Sequence, residues 1–219
     1  MAARVVETAL DGIEITAVVF DSRTHRLAIA DQAGGPASRW TDAAAAATEF
    51  GGIAAINAGF FTPEGEPLGL VAGGGKRAGS LNRASSLGAG FYVGGGAPAL
   101  VRRERSPGGG ELLQSGPFLV ENSRAIHGLS PERSTARSFI GWDGGHGWFV
   151  ARSGPCSLQA LAKALAGTEI GGVAARNALN LDGGRSSDLW VAGSVAGGPV
   201  AQRPFWNKPV RNFLVLLPR

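Results

Sequence analysis

The stretch 180–190, "NLDGGRSSDLW", ends an apolar run in Asp182 and then drops into Gly183 and Gly184 before the chain turns apolar again. Two readings are open on local grounds. It is a turn joining the strands "NALNLD" and "DLWVAG", or a strand end that presents a carboxylate to a cleft. Everything around it reads as β structure. "GIEITAVVF" (12–20) is β-branched and alternating, and "HRLAIAD" (25–31) follows after a short polar turn, as in a hairpin. "GIAAINAGFF" (52–61), "GAGFYVGG", "APALVRR", "GPFLVE", "RSFIGWD", "GWFVAR" and the closing "RNFLVLLP" are further short runs separated by Gly or Pro. Several are apolar on both faces, the mark of strands covered on two sides.

Two segments carry helix signals. "TDAAAAATEF" (41–50) opens with capping residues and stops at Gly51-Gly52. "SLQALAKALAG" (157–167) has Ser157 as N-cap, Leu158, Leu161 and Leu165 on one face, and Gly167 as C-cap. The expected fold is α+β (mixed α/β): a large mixed, mostly antiparallel sheet with two main helices packed on it, in one domain over 1–219.

The chain has 219 residues, 44% hydrophobic and 17% charged, which is globular composition. Its 35 glycines show no Gly-X-Y period, so collagen is excluded. Net charge is +4, but the one dense basic cluster, "VRRERS" (101–106), reads as a solvated hairpin or loop. No basic stripe interleaved with aromatics appears, so no nucleic-acid partner is expected. No 18-residue apolar run exists, so no membrane insertion is expected. The N-terminus "MAARVVETALDG" lacks the apolar core of a signal peptide, which fits a cytoplasmic protein, or an exported one whose signal has been removed. Cys156 is alone, excludes an intrachain disulfide, and reads as a small buried residue.

In "AINAGFF" (55–61), Asn57 either belongs to a plain turn or projects its amide into a cleft, with Gly59 letting the backbone bend. Glu64 and Glu66 read as loop solubilisers. In "QSGPFLV" (114–120), Ser115 lacks a nucleophile elbow, and Gly116-Pro117 sets a rigid turn presenting Gln114 or Ser115 as a polar contact. In "STARSFIGWD" (134–143), Arg137 stands in an apolar strand, and a buried guanidinium needs an anion: a structural carboxylate or a substrate phosphate. Asp143, before "GGHG", reads as a turn former. His25, His127 and His146 have no metal spacing, and "GGGKRAGS" (73–80) is not a phosphate-binding P-loop. No cofactor is expected, although a divalent cation remains possible, with Asp182, Asp188 and Asp143 as ligands in a metal-assisted phosphodiesterase.

Taken in order, five motifs resemble the phosphodiester glycosidase family, which includes N-acetylglucosamine-1-phosphodiester α-N-acetylglucosaminidase and bacterial members labelled exopolysaccharide-biosynthesis related. The family pattern runs N-G-G-F-F, G-P-x-L, R-T-A-[IV]-G, L-D-G-G-G-S and V-x-N-x-L. This chain has Asn57-Ala58-Gly59-Phe60-Phe61, Gly116-Pro117-Phe118-Leu119, Arg137-Ser138-Phe139-Ile140-Gly141, Leu181-Asp182-Gly183-Gly184-Arg185-Ser186 and Val210-Arg211-Asn212-Phe213-Leu214. It departs at Ala58, at Ser138-Phe139, and at Arg185, which puts a large cation beside Asp182 where the family has glycine.

The resemblance implies a hydrolase that breaks the bond between a sugar's anomeric carbon and a phosphodiester oxygen, on phosphoglycan or nucleotide-sugar-like substrates. It implies Asp182 as nucleophile or base and Arg137 as phosphate clamp. Asn57, Gly59, Ser115, Gly116, Asn180, Gly183, Gly184, Arg185 and Ser186 would then bind substrate. An oxocarbenium-like transition state wants a carboxylate, and a phosphate leaving group stabilised by arginine needs less general acid. The rival from another class is a catalytically silent phosphoglycan-binding or envelope polysaccharide-assembly protein.

Overall fold

A computed structural model describes residues 1–105 and 110–219. Ser106, the end of the basic cluster, lies outside the described residues. The strands divide among sheets of seven, five, five and two strands, and every pairing between them is antiparallel. With two helices on this framework, the fold is α+β and mostly β, as the sequence pattern implied.

The seven-stranded sheet, here sheet I, runs Arg4–Leu10, Ile13–Asp21, Gly147–Cys156, Thr135–Trp142, Asn177–Asn180, Phe118–Glu121, Arg124–Ala125. Sheet II runs Val200–Gln202, Leu189–Val191, Ala54–Asn57, Asn212–Pro218, His25–Asp31. Between them lies a dry core in which Val18, Phe20, Ile140, Trp148 and Leu179 of sheet I meet Ile29, Ile56, Leu189 and Leu214 of sheet II. Each sheet's outer face is covered by one helix. Helix α1 (Ala43–Phe50) packs Ala43, Ala46 and Ala47 against Ala55, Phe213 and Val215, and α2 (Leu158–Leu165) packs Leu161 and Leu165 against Ile15, Val19, Phe139 and Phe149. This four-layer order explains the double-sided apolar strands: Val18 faces sheet II while Ala17 and Val19 face α2.

The helix ends follow the capping signals. Asp42 accepts a hydrogen bond from Ala45 N, Ser157 accepts one from Ala160 N, and Gly51 closes α1 with a left-handed φ of 66°. At α2 the cap is Ala166, one residue before the expected Gly167, which takes the left-handed conformation just outside the helix.

Sheet III (Lys76–Ala78, Val71–Gly73, Leu112–Ser115, Gly90–Val93, Ala99–Arg102) flanks the sandwich. The run "GGGKRAGS" is its hairpin tip, where Gly74 and Gly75 both take positive φ, as a two-residue turn between strands demands. Among the described residues, no helix is long and apolar enough to cross a membrane.

Candidate active site

The stretch 180–190 is not a turn between neighbouring strands. Asn177–Asn180 belongs to sheet I and Leu189–Val191 to sheet II, so the Asp182 loop crosses from one sheet to the other at the mouth of the sandwich. Its glycines have separate reasons. Gly184 sits at a left-handed φ of 63°, and a Cβ on Gly183 would lie 3.0 Å from the Ala136 carbonyl and 3.7 Å from Arg137 Cδ. The Asp182 loop is therefore packed directly on Arg137.

Asn57 pins the crossing. Its Nδ2 donates to the Asp182 carbonyl (2.6 Å), while its Oδ1 accepts from Ser138 Oγ (2.7 Å) and Asp188 N (3.0 Å). Asp182 N in turn donates to the Ala58 carbonyl (2.8 Å). One fully buried amide thus ties sheet I, sheet II and both ends of the crossover together. The turn reading of Asn57 is displaced, although its amide binds protein groups here.

The Asp182 carboxyl is largely buried, and burial pushes its pKa up to about 6, against the opposing pull of the Ser186 hydroxyl and the Gly183 N–H. Gly183 N donates to Oδ1 at 2.9 Å. Asp188, 4% exposed, accepts from Ala43 N at the start of α1 (2.9 Å), and burial raises its pKa too.

Arg137 is 8% exposed and has no carboxylate within salt-bridge distance among the described residues. Its Nε donates to the Cys156 carbonyl (3.1 Å), and Nη2 donates to the Arg133 carbonyl. Nη1 has no partner among the described residues. Burial, with the Arg133 charge nearby, lowers its pKa, though a guanidinium stays protonated throughout the working range. Of the two anions the sequence left open, the structural carboxylate is absent. Cys156, buried beside Ser153 and with its pKa raised by burial, is the inert small residue expected.

The remaining expected contacts sort into support and rim. Ser115 Oγ donates to the Asn180 carbonyl (2.9 Å), Asn180 Nδ2 donates to the Gly116 carbonyl (3.1 Å), and Gly59 N donates to Asn212 Oδ1 (2.6 Å). Ser115, Gly116 and Asn180 are therefore one buried knot beneath the loop. A Cβ on Gly116 would lie 2.3 Å from the Ser86 carbonyl, which explains the glycine. Gln114 braces Leu70, Asn82 and Gly88 backbone and does not face the cleft. Arg185, three residues beyond Asp182, donates from Nε to the Trp206 carbonyl (3.0 Å), which ties the Asp182 loop to the 203–208 segment.

Arg152 was missed by the sequence reading, which took "GWFVAR" as an apolar run. It pairs with Ser138 on one side and Thr16 on the other, in register with interior-facing Val150 and Trp148, and so points between the sheets toward Asp188. An arginine in phase with interior residues was the available signal. Its Nε is buried without a partner, as are Asn180 Oδ1, Ser187 Oγ, Asn212 Nδ2 and Asn207 Nδ2 on segments that border the crossover, and Trp148 Nε1 in the core between the sheets.

Asp143 lies elsewhere. It is at the opposite end of the Thr135–Trp142 strand from Arg137 and accepts from Gly145 N (2.6 Å) and Gly147 N (3.1 Å), a turn former as expected. The three aspartates considered as a metal set are not brought together, and no cluster of three or more His, Cys, Asp or Glu side chains suited to a metal occurs among the described residues.

Comparison with known proteins bears on this geometry. None of the curated proteins searched matches the chain. Among solved structures, a hypothetical protein from Synechocystis superposes with a TM-score of 0.63 at 19% identity, over 99% of this chain and 61% of that one. The zebrafish N-acetylglucosamine-1-phosphodiester alpha-N-acetylglucosaminidase catalytic domain, auto-inhibited by its pro-peptide, gives 0.63 at 16% identity, over 99% of this chain and 82% of that one. A putative exported protein from Burkholderia pseudomallei gives 0.53 at 15% identity, over 94% and 74%. This chain thus spans about three fifths of the Synechocystis protein, and at these identities the likeness establishes the fold. The phosphodiester glycosidase family profile matches residues 50–217, which takes in Asn57, Arg137, Asp182 and the closing strand. With most of the chain and all five motifs inside that match, this protein belongs to the phosphodiester glycosidase family.

Proposed function

We propose that this protein hydrolyses sugar-1-phosphodiesters at the anomeric C–O bond, releasing free sugar and a phosphomonoester. The observation that supports it most is a buried arginine without an acidic partner, packed against the loop that carries a buried carboxylate. Arg137, with Nη1 free, would hold the phosphate; Arg152 adds positive charge from the interior side.

In the reaction, the bond between C1 and the phosphodiester oxygen breaks, and its electron pair leaves with the phosphate. Arg137 neutralises the charge that accumulates there. Asp182 faces the electron-poor anomeric carbon, as nucleophile or as the base that takes a proton from water. Water oxygen ends on C1 with one of its protons, as the anomeric hydroxyl of the free sugar, and the other proton passes by way of the Asp182 carboxylate to solvent or the phosphomonoester. A pKa of about 6 leaves Asp182 ionised at neutral pH yet basic enough to accept that proton. Asn57 and the Ser115–Asn180 knot fix the loop's position and need not touch substrate.

The test is incubation with UDP-N-acetylglucosamine and simpler sugar-1-phosphodiesters, with and without EDTA, beside Asp182→Asn. Free reducing sugar from the wild type, absent in the variant, is the expected result. Release of sugar-1-phosphate would mean P–O cleavage, and binding without turnover would mean a phosphoglycan-binding protein. Loss of turnover with EDTA would bring a divalent cation into the reaction.

A further inference from the structure

Two of the most exposed large apolar side chains are adjacent in sequence: Phe205 is 90% and Trp206 70% exposed. They pack edge to face, centroids 4.6 Å apart and planes at 88°, so they form one stiff apolar unit. The segment beneath them is anchored at both ends. Arg185 Nε donates to the Trp206 carbonyl and Lys208 N donates to the Arg185 carbonyl, each at 3.0 Å. On the other side, Arg203 bonds Asp42 Oδ2 (3.0 Å) and Asn207 Oδ1 (2.8 Å), and Asn207 N bonds the Pro204 carbonyl (2.9 Å). Arg185 is three residues beyond Asp182, in the turn that also brings Ser186 beside its carboxyl.

We infer that Phe205 and Trp206 form a stacking platform for a pyranose ring flanking the phosphodiester, with Arg185 as the positioning residue that holds the platform at the rim of the Asp182 loop. The inference rests on the hydrolase reading for its substrate, a phosphoglycan with sugar on both sides of the phosphate. A pyranose presents an apolar C–H face about the size of one aromatic ring, while its hydroxyls remain in water. Exposed aromatics fit that ligand at small cost in conformational entropy. The rim carries Arg185, Arg203 and Lys208, a cationic surround suited to a ligand that bears phosphate. A protein partner needs about 800 Å² per side, far more than two side chains offer. The buried Asn207 Nδ2, without a partner, lies within the same segment and is a donor the ligand's hydroxyls can meet when the segment adjusts.

The test uses Asp182→Asn, so that substrate is not consumed, and titration calorimetry with a phosphodiester joining two N-acetylglucosamine units. Trp206→Ala in that background should weaken binding about tenfold, and Trp206→Tyr should restore most of it. Inorganic phosphate, the control without a ring, should bind equally to all three. In the otherwise wild-type enzyme, Arg185→Ala should raise KM several-fold with kcat within about twofold. Unchanged affinity in Trp206→Ala overturns the platform. So does Trp206-dependent sedimentation with phosphatidylserine vesicles, if sugar binding is unaffected. Binding that depends on Trp206 in a wild-type protein that releases no sugar keeps the platform and removes the hydrolase reading.

Discussion

The mouth of the Asp182 crossover and the tip of sheet III differ in nearly every respect that matters to chemistry. Around the Gly73–Arg77 hairpin lie two open clefts of about 670 and 700 Å³, lined in part by Arg26, Lys76, Arg77 and Arg219 in one and by Asp31, Trp40 and Arg77 in the other. They offer room and exposed charge but few buried, oriented groups; Glu111, its pKa raised by burial, is one exception. At the crossover the groups are few, buried and held in place: Asn57 by three side-chain hydrogen bonds, Asp182 by backbone on both sides, Arg137 by two carbonyls. Water competes poorly there, so each charge acts at higher effective strength. Volume marks where a molecule could rest; preorganised, desolvated charge marks where a bond could break.

Substitutions at the two regions should separate them sharply. The largest effect is expected for Asp182→Asn, a loss of about 10³-fold or more in kcat/KM for sugar release, on the scale of removing a central catalytic group. Wild-type kcat/KM should rise with pH through about 6, as the carboxylate forms. A rate that instead falls through that range would make Asp182 an acid. Arg137→Ala comes next, at about 10²-fold, the scale of one preorganised electrostatic contact. Near-normal turnover in that variant would reduce Arg137 to a structural role.

Asn57→Ala should cost about 2–4 kcal/mol in chemical denaturation, because it leaves the Ser138 hydroxyl and the Asp188 N–H buried without their acceptor. A fourth effect has the opposite sign. Raising Asp182 from 3.8 to about 6 means that its ionised form costs the fold about 3 kcal/mol above pH 6. The folded state binds the extra proton between those values, so this cost is relieved as pH falls from 6 toward 4. Asp182→Asn should therefore melt higher than wild type at pH 7, with the gap closing by pH 4. An equal gap at both values would remove burial as the cause. Smallest of all, Lys76→Ala at the open hairpin should leave kcat/KM within about twofold; a larger loss would move the site to the clefts.

Much of this site could be read before the fold was seen, and the reason is local. Asp182, Gly183 and Gly184 form a contiguous motif whose backbone demands are written in adjacent residues, and Asn57 and Arg137 each stand out against an apolar strand. Helix ends were legible for the same reason, through Asp42, Ser157 and Gly51. What escaped depends on partners far away in sequence. That Asp182 lies on a crossover between sheets follows from strand pairing, which the pattern of Asn177–Asn180 does not encode. The direction of Arg185 is set by a carbonyl 21 residues on, and Arg152 acquires meaning only once Ser138 and Asp188 are beside it. The edge strand Arg4–Leu10 went unread because, half exposed along its length, its alternation is blurred.

The Asn57 amide also has a consequence for how the molecule is made. It joins groups 81, 125 and 131 residues away: Ser138 of the opposite sheet, Asp182 on the crossover, and Asp188 at the start of its neighbouring strand in sheet II. Neither half of the chain can assemble the site, and a ribosome must release most of the polypeptide before Asn57 meets Asp188 and the strand Asn212–Pro218 closes beside it. Contacts of such separation form late, after loop-closure entropy has been overcome. Return of sugar release during refolding would then report one event, the docking of the two sheets, and would lag behind the recovery of either sheet alone.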